Sequence, residues 1–162
     1  PRVALCDFEE ALDKLLLVWK DGRYKIVPPP EKLFVDTGLI HCAVLDRERV
    51  LTVVYGDSFF TYIKKFAPGG SVTNREYRCI PRGSDIRLLA DDDPPLLYVR
   101  YAGGENQAIK QQEFPTEPLP VKDRESRGAM LTSKKTSYIG ATKPADWDDT
   151  QTGPRGTYMN VG

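Results

Sequence analysis

The sequence predicts an all-β fold, and three observations support that prediction. Apolar runs of five to eight residues recur along the chain, turn-forming residues separate them, and no amphipathic stretch predicts a helix longer than two turns. Hairpin-like pairs of runs also repeat, at Leu15–Val27, Val50–Phe66, Leu96–Phe114 and Met130–Ile139. Repeats of several strands over roughly 40–50 residues are typical of propeller-like blades.

The first repeat carries the strongest hairpin signal. Two apolar runs, Leu15–Trp19 and Tyr24–Val27, flank the pair Asp21-Gly22, which supplies the positive φ that a tight turn requires. Around this hairpin the sequence predicts a strand at Arg2–Cys6, a helical turn at Phe8–Lys14, an extended connector at Pro28–Pro30 and an apolar anchor at Leu33–Val35.

The second repeat is predicted to be an antiparallel meander, because short turns join its strands. Its strands are expected at Leu39–Leu45, Val50–Tyr55, Phe59–Phe66, Ser71–Ile80 and Ser84–Ala90. Leu96–Tyr101 and Gln107–Phe114 then form a hairpin around Gly103-Gly104, followed by Ser126–Leu131 and Thr136–Ala141. Residues 1–142 are therefore predicted to form the domain. Residues 143–162 have little periodicity and many breakers, which predicts a flexible C-terminal tail.

Composition limits the possible classes of protein. Lysine plus arginine and aspartate plus glutamate both number 23, so the chain is not a polyelectrolyte, and residues 61–142 carry a modest excess of 13 basic over 10 acidic side chains. The three cysteines form no CxxC pair, and we expect small buried thiols in a reducing cytoplasm. No segment has the length of a membrane span. The start without methionine predicts a fragment of a longer protein.

Catalytic motifs are lacking in the sequence. The single histidine, His41, lies in an apolar strand and is expected to be a core or half-buried residue rather than a general base. Pairing of His41 with a cysteine nucleophile stays open, although Cys42 would point to the opposite face of the strand. Asp91–Asp93 lack the spacing of a Ca²⁺ loop and are interpreted as a solvent-facing turn, so no metal site is predicted.

Basic side chains recur near strand ends and turns, about once per repeat. In a radial arrangement, corresponding turns lie on a common rim that can contact successive phosphates of a bent duplex. The alternative is that these are ordinary solvated charges of a β-rich surface. The candidate DNA-binding residues are Lys64, Lys65, Arg75, Arg78, Arg82, Lys122, Arg124, Arg127, Lys134 and Lys135.

Several stretches together resemble a known family. The order of KLLLVWKDGRYKIV, LIHCAVLDRERVLTVVYGD, YIKKF, SVTNREYRCI and SRGAMLTSKKTSYIG is similar to the C-terminal domain of bacterial type II topoisomerase A subunits, the gyrase A and topoisomerase IV A group. The match is closest to the short, Bacteroidetes-type form and runs roughly from Cys6 to Ala141. Its most specific part extends from Tyr62 to Tyr77.

The resemblance implies a β-pinwheel, a propeller-like disc whose basic edge binds and bends double-stranded DNA beside the catalytic core. The catalytic tyrosine of such enzymes lies outside a domain of this kind, and ATP and Mg²⁺ serve the holoenzyme, in which a B subunit is a further partner. This fragment is therefore expected to be non-catalytic, to need no cofactor, and to act in the bacterial cytoplasm.

Two departures from the family pattern matter. Gyrase A carries a Gln-Arg-Arg-Gly-Gly-Lys-Gly box associated with supercoiling, whereas residues 125–130 retain only the pair Arg127-Gly128, which favours relaxation or decatenation. The chain also has room for about three blades, so the disc is expected to be open or incomplete. A propeller-like protein-interaction module remains the alternative function. If Lys64 and Lys65 bind phosphates, their reversal to glutamate should weaken DNA binding with little effect on thermal stability.

Overall fold

The computed structural model describes residues 2–4, 14–29, 33–35, 37–103 and 108–161. These residues form an all-β fold with two short 3₁₀ turns, at Pro68–Gly70 and Asp149–Gln151. The strands are β1 (Arg2–Ala4), β2 (Leu15–Trp19), β3 (Arg23–Val27), β4 (Leu33–Val35), β5 (Leu39–Val44), β6 (Leu51–Gly56), β7 (Thr61–Phe66), β8 (Glu76–Arg78), β9 (Asp85–Ala90), β10 (Leu96–Tyr101), β11 (Gln111–Pro115), β12 (Val121–Lys122), β13 (Ala129–Thr132), β14 (Thr136–Gly140) and β15 (Met159–Asn160).

Three of the four predicted repeats form hairpins, and each of the three blades is built around one of them. The fourth prediction, a hairpin at Met130–Ile139, is wrong, because β13 pairs with β7 and β14 pairs with β10 in a different sheet. The hairpins are β2–β3, β6–β7 and β10–β11, all antiparallel. In the first, Gly22 adopts a φ of +92°, and a Cβ at this position would lie 2.2 Å from the Ile80 side chain. Glycine is therefore required at this turn both by the backbone conformation and by the close packing of Ile80.

The outer strands interleave between neighbouring blades, so the predicted continuous meander is wrong. The first blade has the order β5-β2-β3-β8, and β8 reaches it only after the chain has formed the β6–β7 hairpin of the second blade. In the same way β13 returns to pair with β7 after the β10–β11 hairpin, while β9 pairs with β6 and β14 with β10. Strand periodicity specifies which face is buried but not which neighbour completes the ladder.

Two cores lie on either side of the second blade. Alternate residues of β6 face opposite directions, so Val53 packs with Val18 and Phe66 in one core, and Val54 packs with Val99 and other residues in the second. Every residue of β6 is buried for this reason. The central blade is thus covered on both faces, whereas the first and third blades supply the outer layers.

The third blade pairs with no strand of the first among the residues that the structure describes. The expected three-bladed, open arrangement is confirmed. The short strands β1 and β4 pair with each other in a separate two-stranded ladder.

The last segment packs on the blades, in contrast to the flexible tail that the sequence predicts. Trp147 is buried and its ring meets Tyr98 edge-on, with 5.3 Å between centroids. The amides of Gly153 and Gly156 donate to the carbonyls of Gln111 and Glu113, both at 2.9 Å, along the edge of β11. Strand β15 then pairs with β13. In the described ranges no returning strand pairs with the outer edge of β11, and this open edge explains why residues without periodicity become ordered there.

Several sequence predictions fall on residues that the structure does not describe, and others concern the cysteines. The helical turn predicted at Phe8–Lys14 lies outside the described residues except for Lys14, and Pro30, Gly104 and Cys6 also lie outside them. Cys79 is a buried free thiol, as expected, but Cys42 is disulfide-bonded, so the expectation of reduced thiols is wrong for that residue. Within the described ranges, no helix has the length and apolar character needed to cross a membrane.

Candidate nucleic-acid interface

One edge of the fold collects turns from all three blades. Register places Arg78 opposite Arg23 and Thr132 opposite Thr61, so β8 and β13 both end beside the tips of hairpins. From there the chain makes a short turn and begins β9 or β14 at the same edge of the next blade. We call this side the hairpin edge, formed by the turns after β2, β6, β8, β10 and β13 and by the strand residues next to them.

The hairpin edge is basic although the whole chain is neutral. Its described residues include eight basic side chains and four acidic ones, so the remainder of the chain has the balancing negative excess. The basic residues are Lys20, Arg23, Arg78, Arg82, Arg87, Lys110, Lys134 and Lys135, and the acidic residues are Asp21, Asp57, Asp85 and Glu76, the last of which pairs with Arg23.

At the first blade, two arginines share one aspartate. Arg23 donates from Nε to Asp21 Oδ2 at 2.8 Å, and Arg78 donates from Nη1 to the Asp21 carbonyl at 2.8 Å. Both guanidinium groups are thereby held close to the hairpin tip while part of each stays accessible. Arg82 lies in the adjacent turn, is exposed, and forms no ion pair with any described residue.

Between the second and third blades the hairpin edge contains a cationic cleft. It has a volume of about 360 Å³ and is lined by Arg87, Lys134 and Lys135 together with Asp57 and Phe59 of the β6–β7 turn. Arg87 donates from Nη2 to the carbonyl of Asp57 at 2.6 Å, and also donates to Thr61 Oγ1. Lys134 lies 5.3 Å from the Tyr101 ring centroid, which favours its cation.

Arg87 is the residue of this cleft that the sequence-based candidates omit. The available signal is its position: it follows the buried Ile86 near the start of β9, so strand alternation turns it outward beside a hairpin tip.

Lys64, a predicted phosphate ligand, is instead a structural residue of the core. Its side chain is only 1% exposed, and its ammonium donates to the carbonyls of Arg124 at 2.6 Å, Ser126 at 2.8 Å and Asp123 at 3.3 Å. Burial lowers the pKa of Lys64 to about 8. The prediction is wrong because β7 is in the middle sheet, where both faces are covered.

Lys65 is also buried, and its ammonium lies 3.2 Å from Asp93 Oδ1. This ion pair faces the turn between β9 and β10, which is away from the hairpin edge. Lys65 is therefore not placed for the phosphate contact that the sequence suggested.

The other four candidates lie on the side opposite the hairpin edge. Arg75 and Arg124 place their guanidinium carbons 5.5 and 4.4 Å from the Tyr77 ring centroid, while Lys122 and Arg124 line an open cleft of about 500 Å³. Arg127 precedes β13 and is exposed, and its carbonyl accepts from Tyr55 Oη at 2.6 Å. Asp123 and Glu125 line the same cleft, so its charge is mixed.

The histidine and cysteine considered as catalytic groups are poorly placed for catalysis. His41 is half-buried, and burial lowers its pKa. Burial raises the pKa of the Cys79 thiol to about 11, which disfavours a nucleophilic thiolate. In the described ranges no group of three or more histidine, cysteine or acidic residues could hold a metal ion.

The three interleaved blades define a propeller-like all-β fold. Residues 5–143 match the family model for the topoisomerase C-terminal domain of Bacteroidota, so the chain belongs to that family. The family resemblance inferred from the motifs is thereby confirmed.

A solved structure shares the fold. A crystal structure of the C-terminal domain of DNA topoisomerase IV is similar, with a TM-score of 0.60 and 14% identity, over 84% of this chain and 49% of that chain. The present chain thus spans about half the length of that solved chain. None of the curated proteins matches the present chain.

Proposed function

We propose that this chain is the DNA-binding C-terminal domain of a type II topoisomerase A subunit, and that it binds duplex DNA without sequence specificity along the hairpin edge. The observation that carries the proposal is the collection of eight basic side chains on one edge of a neutral chain. The proposed phosphate contacts are Arg78, Arg82, Arg87, Lys134 and Lys135. Family membership supports the assignment to a topoisomerase.

The arrangement suits a bent duplex. Phosphates on successive turns of the backbone can meet basic groups on successive blades, and no base-reading element is needed for this kind of contact. In the holoenzyme the domain would hold DNA beside the catalytic core and the B subunit in the cytoplasm, while ATP and Mg²⁺ serve those other parts. Of the supercoiling-associated box of gyrase A, residues 125–130 retain only the pair Arg127-Gly128, which favours relaxation or decatenation over supercoiling.

The test compares two double charge reversals on opposite sides of the molecule. Lys134→Glu/Lys135→Glu removes two proposed phosphate contacts, and Arg75→Glu/Arg124→Glu alters two exposed cations on the opposite side. Affinity for a duplex of a few tens of base pairs is measured by fluorescence anisotropy between about 50 and 200 mM salt. We expect the first variant to bind about tenfold more weakly, with a log-log salt slope smaller by about 2.

Equal effects of the two variants would contradict the hairpin edge as the binding surface, and affinity that does not fall with salt would contradict phosphate binding altogether. Melting temperatures of both variants should stay near the wild-type value, because the four altered side chains are exposed.

A second candidate function is a protein-interaction module, and one apolar cleft favours it. This cleft of about 500 Å³ lies between β7, β13 and the last segment, and is lined by Pro115, Pro118, Leu119, Tyr158 and other residues. A wild-type chain that binds the catalytic core but no duplex at low salt would favour this candidate over DNA binding.

A further inference from the structure

Phe59 is a large apolar side chain that the fold leaves in solvent. It is 75% exposed at the tip of the β6–β7 hairpin, in the middle blade of the hairpin edge. Its neighbour Phe60 is supported by Tyr62, at a centroid distance of 6.4 Å, and Tyr62 in turn stacks on Tyr55 at 5.4 Å. The aromatic stack thus ends at Phe60 and does not cover Phe59.

The turn that carries Phe59 is held in one conformation. Asp57 Oδ1 accepts from the amides of both Phe59 and Phe60 at 2.8 Å, and the Asp57 amide donates to the Phe60 carbonyl at 3.2 Å. Arg87 adds a bond to the Asp57 carbonyl at 2.6 Å. A tip fixed by these bonds presents its side chain with little further loss of conformational entropy on binding.

The surroundings of Phe59 indicate what it can meet. The ring lines the cationic cleft with Arg87, Lys134 and Lys135. A partner that brings negative charge to these three groups and an apolar surface to the ring, at the same place, is a nucleic-acid duplex, whose phosphates flank stacked bases. Apolar wedges beside basic groups are a known means of unstacking a base step and kinking a duplex.

We propose that Phe59 inserts between two base pairs of the duplex bound along the hairpin edge and kinks it there. This inference rests on the proposed function, because the basic edge must first bind the duplex. It adds a location and a mode of bending: the kink lies at the middle blade, next to the phosphates held by Arg87, Lys134 and Lys135. Steps that unstack easily, such as pyrimidine–purine steps or a mismatch, should be preferred sites.

The test uses the 162-residue chain with Phe59→Ala, Phe59→Trp and the control Val72→Ala. Val72 is another exposed apolar residue, at 58%, on the side opposite the hairpin edge. The probe is a duplex of about 30 base pairs with dyes at its ends for bending and one mismatch flanked by 2-aminopurine. The matched duplex without the mismatch is measured in parallel.

We expect Phe59→Ala to bind the mismatched duplex roughly fivefold or more weakly and to lose both the bend and the 2-aminopurine signal. It should keep the salt slope of the wild type, because no cation is removed. Phe59→Trp should restore bending, with quenching of the new tryptophan on DNA, and Val72→Ala should behave as the wild type.

Bending and 2-aminopurine signals that persist in Phe59→Ala would overturn the wedge while leaving DNA binding by the edge intact. Failure of the wild-type chain to bind any duplex would overturn both proposals. A Phe59→Ala variant that binds DNA normally but loses affinity for the catalytic core would assign the ring to a protein contact and would also overturn the wedge.

Discussion

Replacement of Lys64 by methionine separates a structural lysine from a DNA-binding one. The side chain runs through the core beside Phe66, and its ammonium holds three carbonyls of the turn at 123–126. Methionine keeps most of the apolar volume but cannot donate, so those carbonyls lose their common partner. The turn that carries Arg124 and leads into β13 should therefore loosen.

The expected loss of stability follows from the three bonds. Hydrogen bonds that involve a charged group contribute about 1.5–3 kcal/mol each, and a buried carbonyl left without a partner costs about 1–3 kcal/mol. The side chains of Asp123 and Arg124 are exposed, so water can reach part of the turn, and the ammonium no longer has to be desolvated. We expect a net loss of about 2–4 kcal/mol, which lowers the melting temperature by roughly 4–16 °C in a domain of this size.

Lys65→Met is the matched control, because it makes the same chemical change one residue further along β7. Its ammonium pairs with Asp93, whose side chain is 64% exposed, and such a pair contributes less than about 1 kcal/mol. Urea and thermal unfolding followed by circular dichroism measure both variants. Equal melting temperatures for Lys64→Met and Lys65→Met would refute the argument that the three carbonyls at 123–126 depend on the Lys64 ammonium. The same result would revive the expectation that Lys64 can be reversed to glutamate without loss of stability.

Two further predictions concern glycines that allow close packing. Gly128→Ala should lower the free energy of unfolding by about 2–4 kcal/mol, because the φ of Gly128 is +78° and a Cβ there would lie 2.4 Å from the Ile63 carbonyl oxygen. Gly83→Ala is the control for backbone strain alone, because Gly83 has a φ of +88° and a Cβ there would meet no atom within 4 Å. Gly156→Ala should displace the last segment, because its Cβ would lie 2.0 Å from the Phe114 ring, and we expect faster trypsin cleavage after Arg155. Gly70→Ala has open space and should match the wild type, and unchanged cleavage in Gly156→Ala would contradict the packing of this segment.

The hairpins could be predicted from the sequence because their signals are local. Asp21-Gly22 supplies the turn, the flanking runs supply the strands, and β2 and β3 pair as that pattern requires. The order of motifs likewise identified the family, which the family model confirms. Burial of Lys64 could not be predicted in this way, because the residue pattern of β7 is that of a half-exposed strand. The strand is buried only because β13 and the turn at 123–126 return from the third repeat and pack on it.

The amino-acid pattern is sufficient for the all-β class, for three of the four predicted hairpins and for the approximate number of blades, because each depends on residues close together in the chain. Three features depend on contacts between residues far apart in sequence. They are the interleaving of the outer strands, the packing of the last segment along β11, and the set of basic residues that lie on the hairpin edge. Such contacts form where an open strand edge or an uncovered apolar face meets a segment returned by the topology. Among the ten predicted DNA-binding residues, this is why Arg78, Arg82, Lys134 and Lys135 share an edge, while Lys64 is enclosed in the core.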